Sequence, residues 1–291
     1  MSPGARAGAA AGNPPSIGTA GVVRIWIRGT GLLLALLLCI PMHFLWHMLR
    51  QYSPWPRIFL GWAARICGAR VQRIGVPLRR DVFYVSNHLS WIDILALAGA
   101  SGTAFVSKAE LRDAPIVGWL ATLNRTVFVS REDRMGVAEQ INKLRAALEE
   151  NWSVTVFPEG TTTDGQSLLP FKTPMLRVLE PPPPGVLVQP VLLDYGAVAE
   201  EIGWVGQERG VDNAKRLLSR KGSFPLRVCF LEPFFPEHFP GRKAIAAESR
   251  RRIEEALLVA LGKPLRPFAW TVTPVKYEAP EASVANARPP L

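Results

Sequence analysis

An apolar run inside an acid-free stretch is the feature that most restricts this chain. Residues 1–80 hold ten arginines and no Asp, Glu or Lys, and within them Gly31 through Ile40 is unbroken apolar sequence. Such a run must be covered by lipid or by protein. Pro41 follows it, and Met42, Phe44, Leu45 and Trp46 prolong the apolar character with His43 and His47 between them. A full span needs about 20 residues. Gly31 to Met42 is too short for that; Val22 to Leu49 is long enough but includes Arg24, Arg28, Pro41 and His43. Three readings stay open: a membrane helix, single or re-entrant, an interfacial helix in the headgroup layer, or a signal peptide lacking a clean cleavage site. Arg24 and Arg28 favour a cytoplasmic N-terminal flank, although Arg50 and Arg57 beyond the run weaken that reading. Trp26, Trp46, Trp55 and Trp62 suit a membrane interface or ordinary packing.

The formal charge is +10, and all of the excess lies in that first stretch, because the remainder balances 24 basic against 24 acidic residues. A basic, apolar N-terminal region fits an anionic membrane face. There is no zinc-finger spacing and no lysine-rich stripe, so nucleic acid is not the expected partner. At 48% hydrophobic and 20% charged in 291 residues, the rest is a folded body. Cys39, Cys67 and Cys229 are far apart and imply neither a disulfide framework nor a Cys-x-x-Cys site. The expected division is a flexible N-terminus at 1–21, a membrane-associated helical region at 22–69, a catalytic body at 70–270 and a flexible tail at 271–291.

Within the body, short strand-like runs alternate with helix-compatible ones. Strands are expected at Val82–Val85, Ala104–Val106, Val127–Val129, Val154–Phe157, Val186–Leu192 (interrupted by Pro190) and Leu226–Phe230. Helices are expected at Ile92–Leu97, Pro115–Leu123, Met135–Asn151 and Ala244–Leu261. The third of these carries Val137, Ile141, Leu144 and Leu148 at spacings of four, three and four. Short turns between alternating elements predict an α/β fold with a mostly parallel central sheet flanked by helices.

Two clusters carry chemistry. Asn87-His88-Leu89-Ser90-Trp91-Ile92-Asp93 follows a predicted strand at its carboxyl end, where α/β proteins place their sites. A carboxylate holding one imidazole nitrogen leaves the other as a proton acceptor. Inside one helix, five residues would separate the two side chains by about 140°, so the pair works only if His88 precedes the helix. Ser90 and Asp93 also fit a capping box. A catalytic pair, a cap with a packed histidine, and ligand binding without chemistry all remain open. The second cluster is Phe157-Pro158-Glu159-Gly160-Thr161-Thr162-Thr163-Asp164-Gly165, whose amides and hydroxyls suit a polar cradle, or simply a polar turn. Lys108, Arg125, Arg131 and Lys172 lie near predicted strand ends, and a phosphate would want a guanidinium. With no Gly-x-Ser-x-Gly elbow, direct attack by an acceptor hydroxyl is simpler than a covalent intermediate.

In combination these motifs resemble the glycerolipid acyltransferases of the lysophosphatidate type. The His-x-x-x-x-Asp of His88 and Asp93, Val127–Arg131 ending in arginine, Phe157–Thr161, and Val188–Val191 around Pro190 fall in the family's order, and Lys108 lies in a recurring segment. The resemblance covers roughly 70–235. It implies a fatty acyl donor, acyl-CoA or acyl carrier protein, and a lyso-lipid acceptor, with no cofactor and no metal. His88 would be the base and Asp93 its orienting carboxylate. Glu159, Gly160, Thr161 and Thr162 would line the acceptor site, and Arg131, with Lys108 and Lys172, would bind phosphate. Two positions depart from the pattern: Thr162 stands where an arginine often follows, and Arg125 where a glycine often opens the second motif. The expected reaction is acylation of 1-acyl-glycerol-3-phosphate to phosphatidate at the cytoplasmic side of a bacterial inner membrane. O-acylation of lyso-ornithine lipid is the alternative, since Thr161–Gly165 also resembles bacterial enzymes of that kind. A non-catalytic anionic-lipid-binding protein is the alternative of another class.

Overall fold

A computed structural model describes residues 3–108, 112–113, 115–129, 142, 144–146, 148 and 153–270. Its centre is a seven-stranded sheet, built from β1 (Ala69–Ile74), β2 (Val82–Ser86), β3 (Ala104–Lys108), β4 (Val127–Val129), β5 (Ser153–Val156), β6 (Leu187–Asp194) and β7 (Phe224–Phe230), in the order β1-β7-β6-β2-β5-β3-β4. All neighbouring pairs are parallel except β6 with β7. β2 and β5 are buried throughout. Burial on both faces explains the nearly continuous apolar run of β2; β5 alternates Ser153-Val154-Thr155-Val156, and its buried Thr155 hydroxyl is paired with that of Thr103 at 2.9 Å. Tyr84 points into one core with Ile92, Leu97 and Leu193. Phe83 and Val85 point into the other with Leu144, Leu148, Leu176 and Ile245. Helices therefore cover both faces, as expected for this fold class.

β6 runs unbroken through Pro190, contrary to the expected interruption. The Pro190 carbonyl accepts from Leu231 N at 3.0 Å, on the β7 side. The ring nitrogen faces the same way, past the last β6–β7 pair, Val191 with Phe230. Its missing N–H therefore removes no ladder bond with β2.

Among the described residues the helices of eight residues or more are α1 (Pro3–Ala10), α2 (Thr19–Met48), α3 (Trp55–Ile66), α4 (Ile92–Ser101), α5 (Pro115–Leu123), α6 (Gly210–Ser219) and α7 (Gly241–Leu261). α2 is long and apolar enough to cross a membrane, and it continues through Pro41. It is also attached to the body. Arg24 Nε donates to Ser219 O, and Arg28 donates to the carbonyls of Leu217, Leu218 and Gly222, the open end of α6. α3 returns antiparallel to α2, with Trp46 against Trp55 and Ile66 beside Gly31. α3 in turn packs on α4 through Gly61 and Gly99; a Cβ at Gly99 would lie 2.6 Å from Gly61 Cα. The segment expected to be flexible at 1–21 contains α1, held by Arg6 to Gly203 O at 2.6 Å and by Gln207 N to Ala10 O at 2.8 Å. Residues 271–291, most of the helix expected at Met135–Asn151, and Arg131 lie outside the described residues.

Candidate active site

The carboxyl ends of β2, β5 and β6 share one edge of the sheet, since Val85 pairs with both Val156 and Pro190. Asn87 extends β2 past its last residue. Its Nδ2 donates to Leu193 O at 3.0 Å, and its Oδ1 accepts from Leu193 N at 2.8 Å, so a side chain replaces a strand pair and the backbone is released to turn. His88 comes next, and α4 starts only at Ile92. His88 thus precedes the helix, the condition its pairing with Asp93 required.

His88 Nδ1 lies 2.8 Å from Asp93 Oδ2. A carboxylate only accepts, so Nδ1 carries the hydrogen and Nε2 keeps its lone pair. Among the described residues Nε2 has no hydrogen-bond partner, and the histidine side chain is 18% exposed where Asp93 is sealed. The imidazole stacks on Phe157, with centroids 4.1 Å apart and planes 16° from parallel. Asp93 Oδ2 also accepts from Leu89 N at 2.6 Å and Ser90 N at 2.9 Å, while Oδ1 accepts from Tyr195 Oη at 2.5 Å. The pairing is therefore present, but only half of the expected capping box is: Asp93 binds Ser90 N, whereas Trp91 stands at the N-cap of α4 and no side chain caps the helix.

The second cluster wraps the same turn. Glu159 is 1% exposed. Its Oε1 accepts from His88 N and its Oε2 from Leu169 N, both at 2.9 Å. Burial pushes this carboxyl up to about 8, against the pull of the two amides. The glutamate therefore faces the loops it joins, and both oxygens expected to address an acceptor are engaged with backbone. Thr163 donates its N–H and its hydroxyl to His88 O at 2.8 and 3.2 Å, and Trp204 N donates to Leu89 O at 2.8 Å. Thr162 turns its hydroxyl to Trp204 O. Gly160 has φ +71°, and a Cβ there would lie 2.8 Å from Lys172 Nζ, which places that ammonium over the turn. Thr161 is half-buried beside it. Lys108 ends β3 on the same sheet edge.

His88, Asp93, Glu159, Gly160, Thr162 and Lys172 are thus brought together. Arg125 lies elsewhere, 4.7 Å over the Tyr52 ring, with φ +59°. That is the left-handed region in which glycine is at ease, so the glycine usual at this position has a backbone reason. Tyr195 escaped the motif reading. Its only sequence signal is a tyrosine just past the carboxyl end of β6.

The acyltransferase family model matches residues 69–194. The lyso-ornithine lipid O-acyltransferase of Brucella abortus is 32% identical over 83% of this chain and 96% of its own length. The chain belongs to the acyltransferase family. The acyltransferase is also similar to the lyso-ornithine lipid O-acyltransferase of Pseudomonas aeruginosa, 34% identical over 70% of this chain and 78% of that one. With the 1-acyl-sn-glycerol-3-phosphate acyltransferase of Neisseria gonorrhoeae it shares 33% identity over 40% of this chain and 45% of the relative. The crystal structure of the 1-acyl-sn-glycerophosphate acyltransferase PlsC of Thermotoga maritima superposes with a TM-score of 0.54 at 25% identity, covering 69% of this chain and 76% of that one. The acyltransferase transfers an acyl group from an acyl-CoA or acyl carrier protein type of donor to a lipid hydroxyl, and it is associated with the bacterial inner membrane.

Proposed function

We propose that this acyltransferase acylates the hydroxyl of lyso-ornithine lipid, with His88 as the base. His88 Nε2 takes the proton of the acceptor hydroxyl as its oxygen attacks the thioester carbonyl. The tetrahedral oxyanion collapses, the C–S bond breaks, and the imidazolium returns the proton to the departing thiolate. Ester and free thiol are the products, and no acyl-enzyme forms. Asp93 keeps Nδ1 protonated throughout and offsets the charge of the imidazolium, and Tyr195 holds Asp93 from its other oxygen. General-base assistance of this kind contributes about 10²–10⁴ in rate. Glu159 is a positioning residue that fixes the His88 backbone. A cytoplasmic catalytic face follows from the donors, which are cytoplasmic molecules. The body that carries this chemistry is the 70–270 unit.

The observation that carries the choice of acceptor is at residue 162. A phosphate-bearing acceptor calls for a guanidinium next to the Phe-Pro-Glu-Gly-Thr turn, and here a threonine occupies that position and points to Trp204 O. The similarity to lyso-ornithine lipid acyltransferases, which extends over most of both chains, supports the same acceptor. Both observations support lyso-ornithine lipid over lysophosphatidate, the acceptor first expected from the motifs. Purified protein offered both acceptors, each with acyl-CoA and with acyl carrier protein donors, should use lyso-ornithine lipid with the higher kcat/KM. His88→Ala should abolish thiol release while retaining the fold. A tenfold preference for lysophosphatidate would overturn the acceptor, and full activity in His88→Ala the mechanism.

A further inference from the structure

A cavity of about 410 Å³ opens beside the catalytic turn, lined by Arg6, Asp164, Glu200, Arg266 and Trp270 among others. One wall belongs to the second cluster, since Asp164 directly follows Thr163, whose N–H and hydroxyl bind His88 O. The lining is unusual in pairing opposite charges: two guanidinium groups and two carboxylates around one opening. Arg266 Nη2 bridges Glu200 Oε1 at 2.8 Å and Asp164 Oδ2 at 3.4 Å. Among the described residues its Nε and Nη1 bind nothing. Asp164 is fixed by accepting Gln166 N at 2.9 Å, and the Arg266 backbone by donating to Gln166 O at 2.9 Å. Arg6 is held by Gly203 O and Glu208, so it lends charge from a set position. Glu200 and Arg266, in contrast, are each about half exposed and accessible to a ligand.

We infer that this cavity receives the zwitterionic amino-acid headgroup of the lipid acceptor, its carboxylate on Arg266 and its amine on Glu200. A headgroup with one positive and one negative end finds a partner for each without changing the net charge of the pocket. A phosphate monoester would set its dianion beside Asp164 and Glu200. The planar fork of Arg266 matches a carboxylate, and the Trp270 ring offers a face to the ammonium. Asp164 is the residue after Thr163, which binds His88 O, so the cavity adjoins the loop that supports the proposed base. Arg6 lies on α1, whose end is separated from α2 by eight residues, so one wall of the cavity belongs to the segment that leads into the long apolar helix.

This inference rests on lyso-ornithine lipid being the acceptor, and the experiment separates the two. Four acceptors are compared in mixed micelles: lyso-ornithine lipid, the same lipid with its side-chain amine acetylated, an N-(3-hydroxyacyl)methylamide lacking both charges, and lysophosphatidate. With wild-type protein, acetylation should raise KM about tenfold, the size of one charge-assisted hydrogen bond. Glu200→Gln should raise KM for the unmodified lipid by a similar factor and make the protein indifferent to acetylation. Arg266→Gln should lower the preference for lyso-ornithine lipid over the methylamide at least tenfold. Lyso-ornithine lipid turnover in which wild-type protein ignores acetylation, or in which the Glu200→Gln and acetylation effects simply multiply, overturns the pocket and leaves the acceptor standing. Wild-type protein that acylates lysophosphatidate but not lyso-ornithine lipid overturns the acceptor, and the pocket assignment with it.

Discussion

Asp93 accepts from four donors: His88 Nδ1, two amides of its own turn and the Tyr195 hydroxyl. A buried carboxylate so completely satisfied is held stationary, which is what an imidazole partner needs. Tyr195→Phe keeps the ring and deletes one donor. On the proposed mechanism it should lower kcat about tenfold with little change in KM, since the missing bond would orient the base and touch no substrate; equal losses in both parameters would contradict this. Glu159 yields a pH prediction. Its folded carboxyl is raised from 4.5 to about 8, so between those values the folded state binds the proton more tightly than the unfolded one. Wild-type stability from this group is complete below about pH 4.5 and declines as pH rises towards 8. Glu159→Gln leaves one buried N–H without an acceptor, at a cost of about 1–3 kcal/mol. Its deficit in denaturant midpoint should therefore shrink between pH 5 and pH 8, and a constant deficit would show that the carboxyl does not titrate there. The pair His88 and Asp93 was legible because its members are five residues apart on one turn. Tyr195 was not, because its partner lies 102 residues away and a tyrosine in apolar sequence looks like core. The true direction of Glu159 was also hidden, since a motif names a residue without saying which way it faces.

The elements that were legible are those whose burial stamps the sequence. β2 and most of β6 are apolar because both their faces are covered, and β5 shows through its β-branched Val154, Thr155 and Val156. β1 was missed because it is an edge strand whose Arg70, Gln72 and Arg73 are largely exposed. α6 was missed because its buried side includes polar residues. Asp212, Asn213 and Arg216 are buried there, and Arg216 is paired with Glu208 at 2.7 Å while Asn213 accepts from Trp91 Nε1 at 3.0 Å. A polar interior of this sort looks like surface until its partners are known. The α3–α4 contact makes a sharper test. Gly99→Ala gains about 1 kcal/mol in helix propensity but drives a methyl group into the Gly61 backbone. Overpacking costs about 1–3 kcal/mol, so the variant should melt lower than wild type; a higher melting temperature would mean that the two helices separate freely.

On the scale of the whole molecule, one face of α2 is apolar and exposed along its length, with Val23, Trp26, Leu34, Leu38, Leu45 and Met48 following one another at helical spacing. Leu34→Asp with Leu38→Asp should sharply reduce co-sedimentation with anionic vesicles while leaving the far-ultraviolet circular dichroism unchanged. Undiminished binding would assign membrane attachment to another surface. The opposite face of α2 is tied down by Arg24 and Arg28 near its start and by α3 towards its end. With α2 embedded in the bilayer, an anchor fastened in this way would keep the imidazole at a constant height over the lipid headgroups. The enzyme then samples a two-dimensional pool, so its turnover should follow the mole fraction of acceptor in the surface and fall on dilution with inert lipid, even when the total amount of acceptor in the tube is held fixed.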